Sequence, residues 1–393
     1  MKTKSFATQA LAATAAVSVF LAGAALISHA SAQTTAPKKT APRAAAKSAE
    51  KNAGESFRNV TTPSLKVLTV ADFMGAMGVI SADLGLDCAD CHPGAGSDKA
   101  DFVIDTQPKV TARRMINMVA AINKENFGGV QNVTCWTCHH GKLKPATTIT
   151  LDKLYGAPND EKDDIITQGE GEPTGAQVLD KYIAALGGAQ KLASLKSWVA
   201  SGTSLGYEGL GGGGSFTVYA EAPDKRAQVI IFKDHPERGD TYRVYNGSTG
   251  WNKTPRNAVP EYELSGSELD GMRFDALMAF PGNIKTALRP PLRTLTSDLG
   301  DRDVEVVQGF GPNGLVVSLY FDKKTNLLIR MVRYSRTPVG RVPTQIDYAD
   351  YREVDGIKFP FQYTFSWLDG RDAFRISDVK VNVPIDASNF AKP

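Results

Sequence analysis

The chain has 393 residues, a net charge of +3 and a pI near 8.5. So mild a charge gives no argument for a nucleic-acid partner. The composition is that of an ordinary soluble protein, and the length suffices for two hydrophobic cores.

Lys2 and Lys4 precede an alanine-rich apolar stretch from about Leu11 to Ile27, which ends in Ala30-Ser31-Ala32. This is the pattern of a cleaved secretory signal peptide over residues 1–32. A retained anchor helix is the alternative, but the stretch is short and weakly hydrophobic for a membrane span. No cysteine follows it to carry a lipid anchor. A periplasmic location is expected. Residues 33–58 are rich in Ala, Lys, Thr and Pro and read as a disordered basic tether, which leaves peripheral membrane association open.

Residues 59–158 read as helical. Val70, Phe73, Met74, Met77, Ile80 and Leu84 recur at helical spacing and stop at Gly85. Pro108 opens a second helix with Val110, Met115, Met118, Val119 and Ile122 on one stripe. Each helix is followed by one copy of a short motif, Cys88-Ala89-Asp90-Cys91-His92 and Cys135-Trp136-Thr137-Cys138-His139. These motifs hold all four cysteines of the chain. C-x-x-C-H is a c-type haem attachment site. Two thiols add to the two vinyl groups of one porphyrin, and the adjacent imidazole becomes the proximal iron ligand. Two motifs imply two covalent haem c groups. A Cys₄ zinc site is conceivable at this separation, but zinc asks for no histidine after each pair. A thioredoxin-like motif would need a βαβ context that neither copy has.

The sixth iron ligands follow from a count. Of five histidines, His29 leaves with the leader, and His92 and His139 are proximal. His140 is too close to His139 to reach the far face of the same porphyrin. It either reaches the other haem or sits on the surface. His235 lies in the charged turn Lys233–Arg238 and reads as a solvated loop residue. Bis-histidine ligation of both haems is therefore not expected. Methionine supplies a soft thioether that favours Fe(II). One methionine of each pair, Met74/Met77 and Met115/Met118, is the expected ligand, and the other is core filler.

These residues resemble the cytochrome c subunit of photosynthetic reaction centres over about 60–150. The matching signatures are Met77-x₃-Ser81-x₂-Leu84-Gly85-x₂-Cys88-x₂-Cys91-His92, Ala112-Arg113-Arg114-Met115-x₂-Met118-x₄-Asn123 and Thr134-Cys135-x₂-Cys138-His139. The resemblance implies Met77 and Met115 as the ligating methionines. The chain departs from that family in having two motifs instead of four, so docking to a photosynthetic core is not implied.

Residues 159–173 are dense in Asp, Glu and Gly and read as a linker. Residues 174–393 open with a helix carrying Val178, Leu179, Tyr182, Ile183 and Leu186. Strand-like runs then follow at 216–220, 228–232, 242–245, 304–307, 315–321, 327–334, 345–351, 361–367 and 374–383, with a helix over 265–280. Asp355-Gly356 and Asp369-Gly370 read as hairpin turns. Gly211-Gly212-Gly213-Gly214 is a flexible turn, since no Lys-Ser/Thr follows to make a phosphate loop. The strand pairs and the ending faintly resemble LolA-like lipoprotein carriers, which implies an open antiparallel half-barrel able to take an apolar ligand.

The expected fold is an α-helical dihaem c-type cytochrome domain followed by an antiparallel β-rich half-barrel or sheet with a few helices. The expected function is electron transfer to or from a redox partner protein of unspecified identity, without enzymatic catalysis. A dihaem peroxidase needs an open iron position and a distal acid–base group. A lipid carrier with a redox-sensing haem region is the remaining rival.

Overall fold

Helix α3, Val70–Leu84, begins where the Thr69 hydroxyl accepts from the Asp72 N–H at 3.1 Å. It ends at Gly85, whose φ of +63° a side chain would resist. Two short turns of helix precede it, α1 at Ala53–Ser56 and α2 at Pro63–Lys66. The first motif forms a one-turn helix, α4, Cys88–Cys91. Helix α5, Gln107–Asn126, carries proline in its first turn, where the missing N–H costs nothing. The second motif forms α6, Cys135–His139. This computed structural model describes residues 51–148, 151, 165–207, 213–255 and 257–393. The expected leader, residues 33–50 of the tether, the first part of the acidic linker and Gly211-Gly212 lie outside the described residues.

Beyond the linker come α7, Gly175–Ala185, and α8, Ala189–Ser194. Thirteen strands then form one antiparallel sheet in the order β6-β5-β4-β3-β2-β1-β13-β12-β11-β10-β9-β8-β7. β1 is Ser197–Tyr207, β2 Ser215–Glu221, β3 Lys225–Ile231, β4 Thr241–Tyr245, β5 Gly250–Lys253 and β6 Glu261–Leu264. β7 is Arg289–Leu299, β8 Arg302–Phe310, β9 Val316–Asp322 and β10 Leu328–Thr337. β11 is Gly340–Val354, β12 Ile357–Trp367 and β13 Gly370–Val381. Two meanders, β1–β6 and β7–β13, join where β1 pairs with β13. Helices α9, Gly266–Met278, and α10, Ile284–Ala287, lie between them in sequence. The open antiparallel sheet expected from the strand pattern is present, and all nine strand-like runs fall on strands.

Alternation sets the sheet's buried face. Phe216, Val218 and Ala220 of β2 point inward, and their neighbours do not. They meet Leu179 and Tyr182 of α7 and Phe274 of α9 in the main core. A buried ion pair crosses that interior. Arg333 on β10 donates through Nε and Nη2 to the two carboxylate oxygens of Asp275 on α9, each at 3.2 Å. Both side chains are out of solvent, so the pair is held by fork geometry instead of being screened.

One sheet edge is covered by the chain itself. Along β7, Gly169 N–H donates to Thr294 O at 2.8 Å, and Thr294 N–H donates to Gln168 Oε1 at 2.9 Å. Thr296 N–H donates to Glu172 Oε1 at 3.0 Å. The last part of the expected linker thus runs along β7.

Helix α3 packs on the sheet as well as on the helices. Leu65, Ala76, Val79 and Ile116 share one apolar cluster with Val339 and Val342 of the β10–β11 hairpin. Ala71 shares another with Leu264 of β6 and Met272 and Ala276 of α9. Gly75 and Gly78 make this approach possible, because a Cβ on Gly75 would stand 3.2 Å from Val342 Cγ2. One on Gly78 would stand 3.0 Å from the Trp367 ring.

Candidate haem-attachment sites

One helical turn places Cys88, Cys91 and His92 on one side of α4, because positions i, i+3 and i+4 are surface neighbours. The same holds for Cys135, Cys138 and His139. All four cysteines are free thiols. Each turn is fixed at its start. The Asp87 carboxylate accepts from Ala89 N–H at 2.7 Å and Asp90 N–H at 3.1 Å, and Asp90 Oδ2 accepts from Asp87 N–H at 2.8 Å. At the second motif, Thr137 Oγ1 accepts from Thr134 N–H at 3.0 Å.

The two proximal histidines differ in their surroundings. His139 Nδ1 lies 2.9 Å from the carbonyl oxygen of Lys142. A carbonyl can only accept, so Nδ1 carries the proton and Nε2 presents a lone pair. His92 Nδ1 is buried with no hydrogen-bond partner. Its ring centroid lies 5.2 Å from that of Phe102. Burial and the nearby Lys109 cation lower the His92 pKa and favour the neutral, ligating form.

The loop after the first motif is tied down from α5. Lys109, buried, donates through Nζ to the carbonyls of Phe102 at 3.0 Å and Ile104 at 2.8 Å. Arg113 donates to Asp105 Oδ1 at 2.6 Å and Asn59 O at 3.2 Å. Thr106 Oγ1 donates to Cys91 O at 2.9 Å. Asn123 holds the approach to the second motif. Its Nδ2 donates to Val133 O at 2.7 Å, and its Oδ1 accepts from the N–H groups of Asn132 and Val133 at 3.0 and 2.9 Å.

The motifs pack crosswise. α4 lies against α5, and α6 lies against α3. Met77 and Cys135 both border the cluster of Ala76, Val79 and Ile116. Met74, Met77 and Met115 are half-buried, and Met118 is 44% exposed. His140 is exposed, adopts a φ of +49° and lies with its ring 5.4 Å from that of Trp136. His235 sits in an exposed turn 3.3 Å from Glu237.

Cys88, Cys91 and Cys135 are shifted towards the protonated thiol. Burial, then the Asp83 carboxylate, pushes Cys135 up to about 11. Burial also raises Cys88 and Cys91. Redox-active thiols need the opposite shift. Among the described residues no three His, Cys, Asp or Glu side chains converge as a metal cage.

The surroundings fit a bulky apolar group. Among the described residues, thirteen large apolar side chains are exposed, and eleven of them lie between Val67 and Leu151. Phe102, Val103 and Ile104 flank the first motif, and Trp136 and Leu143 flank the second. So much apolar surface in so short a segment marks a ligand or partner face.

The Asp369-Gly370 turn was read from the sequence, but not that it and the β10–β11 turn meet this region. Cys135 N–H donates to Val339 O at 3.2 Å, and Gln131 Nε2 donates to Thr337 O at 2.8 Å. Trp367 and Leu368 of the β12–β13 turn lie against Gly78. Glycines inside an apolar helix were the available signal, since they mark close approach of another backbone or side chain.

Residues 21–176 match the model of the family described as "Photosynthetic reaction centre cytochrome C subunit". No curated protein matches the chain. Solved structures similar to it include a LolA superfamily protein from Nitrosomonas europaea, 14% identical, with 56% of this chain and 99% of that one covered and a TM-score of 0.38. A putative outer membrane lipoprotein-sorting protein domain from Vibrio parahaemolyticus is 12% identical, with 55% and 95% covered and a TM-score of 0.37. A DUF1329 family protein from Desulfovibrio piger is 14% identical, with 55% and 96% covered and a TM-score of 0.36. Likeness at this level describes an outline and carries nothing about ligands. Over residues 21–176 the chain is thus similar to a c-type cytochrome family, the photosynthetic reaction centre cytochrome C subunit.

Proposed function

We infer that the protein is an exported dihaem cytochrome that transfers electrons between partner proteins. The observation that carries this reading is the His139 Nδ1–Lys142 O hydrogen bond, which fixes the imidazole in the tautomer an iron requires. Haem, once attached, supplies a one-electron Fe(II)/Fe(III) couple. Cys88 and Cys91 would hold the first group and Cys135 and Cys138 the second. His92 and His139 are the proximal ligands. Met77 is assigned to the first haem and Met115 to the second. The division into a haem region over 59–158 and a β region over 174–393 is part of the same proposal, as is cleavage of residues 1–32 and a periplasmic location.

The test is stoichiometric and spectroscopic. A pyridine haemochrome assay on the purified protein should return two haem c per chain, and acid–acetone should leave the colour on the protein. The oxidised protein should show the near-infrared band of Met–Fe(III) ligation. A peroxidase-type iron with an open position would lack that band. Apoprotein mass with bound zinc would end the reading.

The sheet region has its own candidate ligand site. A cleft of about 420 Å³ opens beside α8, lined by Ile183, Leu192, Leu195, Pro223 and Phe280. Its lining is mainly apolar, with Lys196 and Asn283 among it, which suits an apolar chain with a polar end. Co-purifying lipid that is lost on Leu192→Glu would support this role, and a lipid-free protein that takes up no fatty acid would remove it.

A further inference from the structure

We propose that two hairpin turns of the sheet form separate walls of the two haem sites, the β10–β11 turn serving the second and the β12–β13 turn the first. This rests on the dihaem reading above and adds to it a role for the sheet.

The contact at the second site is direct. Val339, in the β10–β11 turn, accepts a backbone hydrogen bond from Cys135, the first thiol of the motif, at 3.2 Å. Thr337 O accepts from Gln131 Nε2 at 2.8 Å, four residues before that thiol. The turn is rigid in itself, because Thr337 Oγ1 donates to Gly340 O at 2.8 Å. Gly340 leaves no slack. A Cβ there would stand 2.9 Å from Val79 Cγ1 and 3.8 Å from Thr134 Cβ. The turn therefore seats the motif from the sheet.

The β12–β13 turn meets the haem helix next to the proposed ligand Met77. Trp367 and Leu368 close on Gly78, at 3.0 and 3.3 Å from where its Cβ would be. Both also border the cluster that contains Ala76 and Val79. The turn thus packs on the methionine helix at the residue after Met77. These are positioning residues: they act on the iron through burial and through the groups that hold it.

Two adjacent hairpins, one bonded to the second motif and one packed beside Met77, would give the sheet a hold on each potential. Loosening a wall admits water, and a better-solvated iron is easier to oxidise, so its potential falls. The experiment is a spectroelectrochemical titration of the full-length holoprotein, resolved into two one-electron waves, with haem counted on the same samples. Gln131→Ala should lower one wave and leave the other in place. Trp367→Ala should lower the wave that Gln131→Ala leaves untouched. Circular dichroism and retained covalent haem check that each variant folds. Gly340→Ala and Leu368→Ala replace any that does not. Two haems with both waves unmoved, or both variants moving the same wave, overturns the wall assignment and leaves the dihaem reading intact. Fewer than two haems in the unaltered protein overturns both.

Discussion

Gly85 lies directly over the backbone of Gly141: a Cβ on Gly85 would fall inside the van der Waals radius of the Gly141 carbonyl oxygen. The end of α3 and the residue two beyond His139 are thus in backbone contact, and Gly141 N–H donates to Asp83 O at 2.9 Å nearby. The two motifs are not beads on a string.

Gly85→Ala should therefore cost more than its left-handed backbone alone, which is worth about 1–2 kcal/mol. Chemical denaturation of the holoprotein should show a loss above that figure. A neutral result would mean that α3 and the second motif separate freely.

Met115→Ala should lower one haem potential and turn that iron high-spin or water-ligated, because the thioether that favours Fe(II) is gone. Met77→Ala should do the same to the other haem. Met118, 44% exposed, has little packing to lose. Met118→Ala should change stability by no more than about 0.5 kcal/mol and leave the spectrum alone. A spectral change in Met118→Ala with none in Met115→Ala would exchange their roles.

Asp275→Ala strands the Arg333 guanidinium in the interior, and Arg333 Nη1 already has no partner there. The expected loss is about 3–5 kcal/mol in urea unfolding. Replacing both residues, as Arg333→Met with Asp275→Leu, should cost less than the single change, because no buried charge is left behind. Equal losses would show that packing around Asp275, and not the stranded charge, dominates.

Asp83 is 8% exposed, with one carboxylate oxygen buried and unpartnered. Burial pushes it up to about 6 from an ordinary 3.8. The folded chain therefore holds this proton more tightly than the unfolded chain. Stability falls as pH rises between those two values, by about 3 kcal/mol in full. Asp83→Asn should raise the melting temperature above pH 6 and leave it unchanged below the ordinary carboxylate range. A pH-independent difference between the two proteins would contradict this.

Helix α3 was legible to the residue because its stripe, its threonine cap and its closing glycine agree. The turn at Asp355-Gly356 was legible for a similar reason: both residues sit at positive φ, +50° and +76°, as a two-residue hairpin demands. β1 escaped because Ser, Gly and Ala dilute its alternation. β7 escaped because it opens on Arg-Pro-Pro, and prolines are tolerated only at an edge. β5 and β6 are four residues each, too short to show a period. In the haem region the chemistry was written in the motifs, but Asn123 appeared only as part of a pattern. Its role is to hold three backbone groups of the 132–133 approach, a long-range fact that spacing does not carry.

The strap of residues 168–172 along β7 has a consequence for how copies of the protein meet. An exposed strand edge is a template on which another chain can polymerise. Here Gln168 and Glu172 occupy the N–H groups of Thr294 and Thr296 with side-chain oxygens, and side chains cannot propagate a ladder. Residues 168–172 thereby cover positions on this edge that a second chain would need to pair with. A chain cut or mutated within that segment would keep its haem sites and lose its resistance to aggregation.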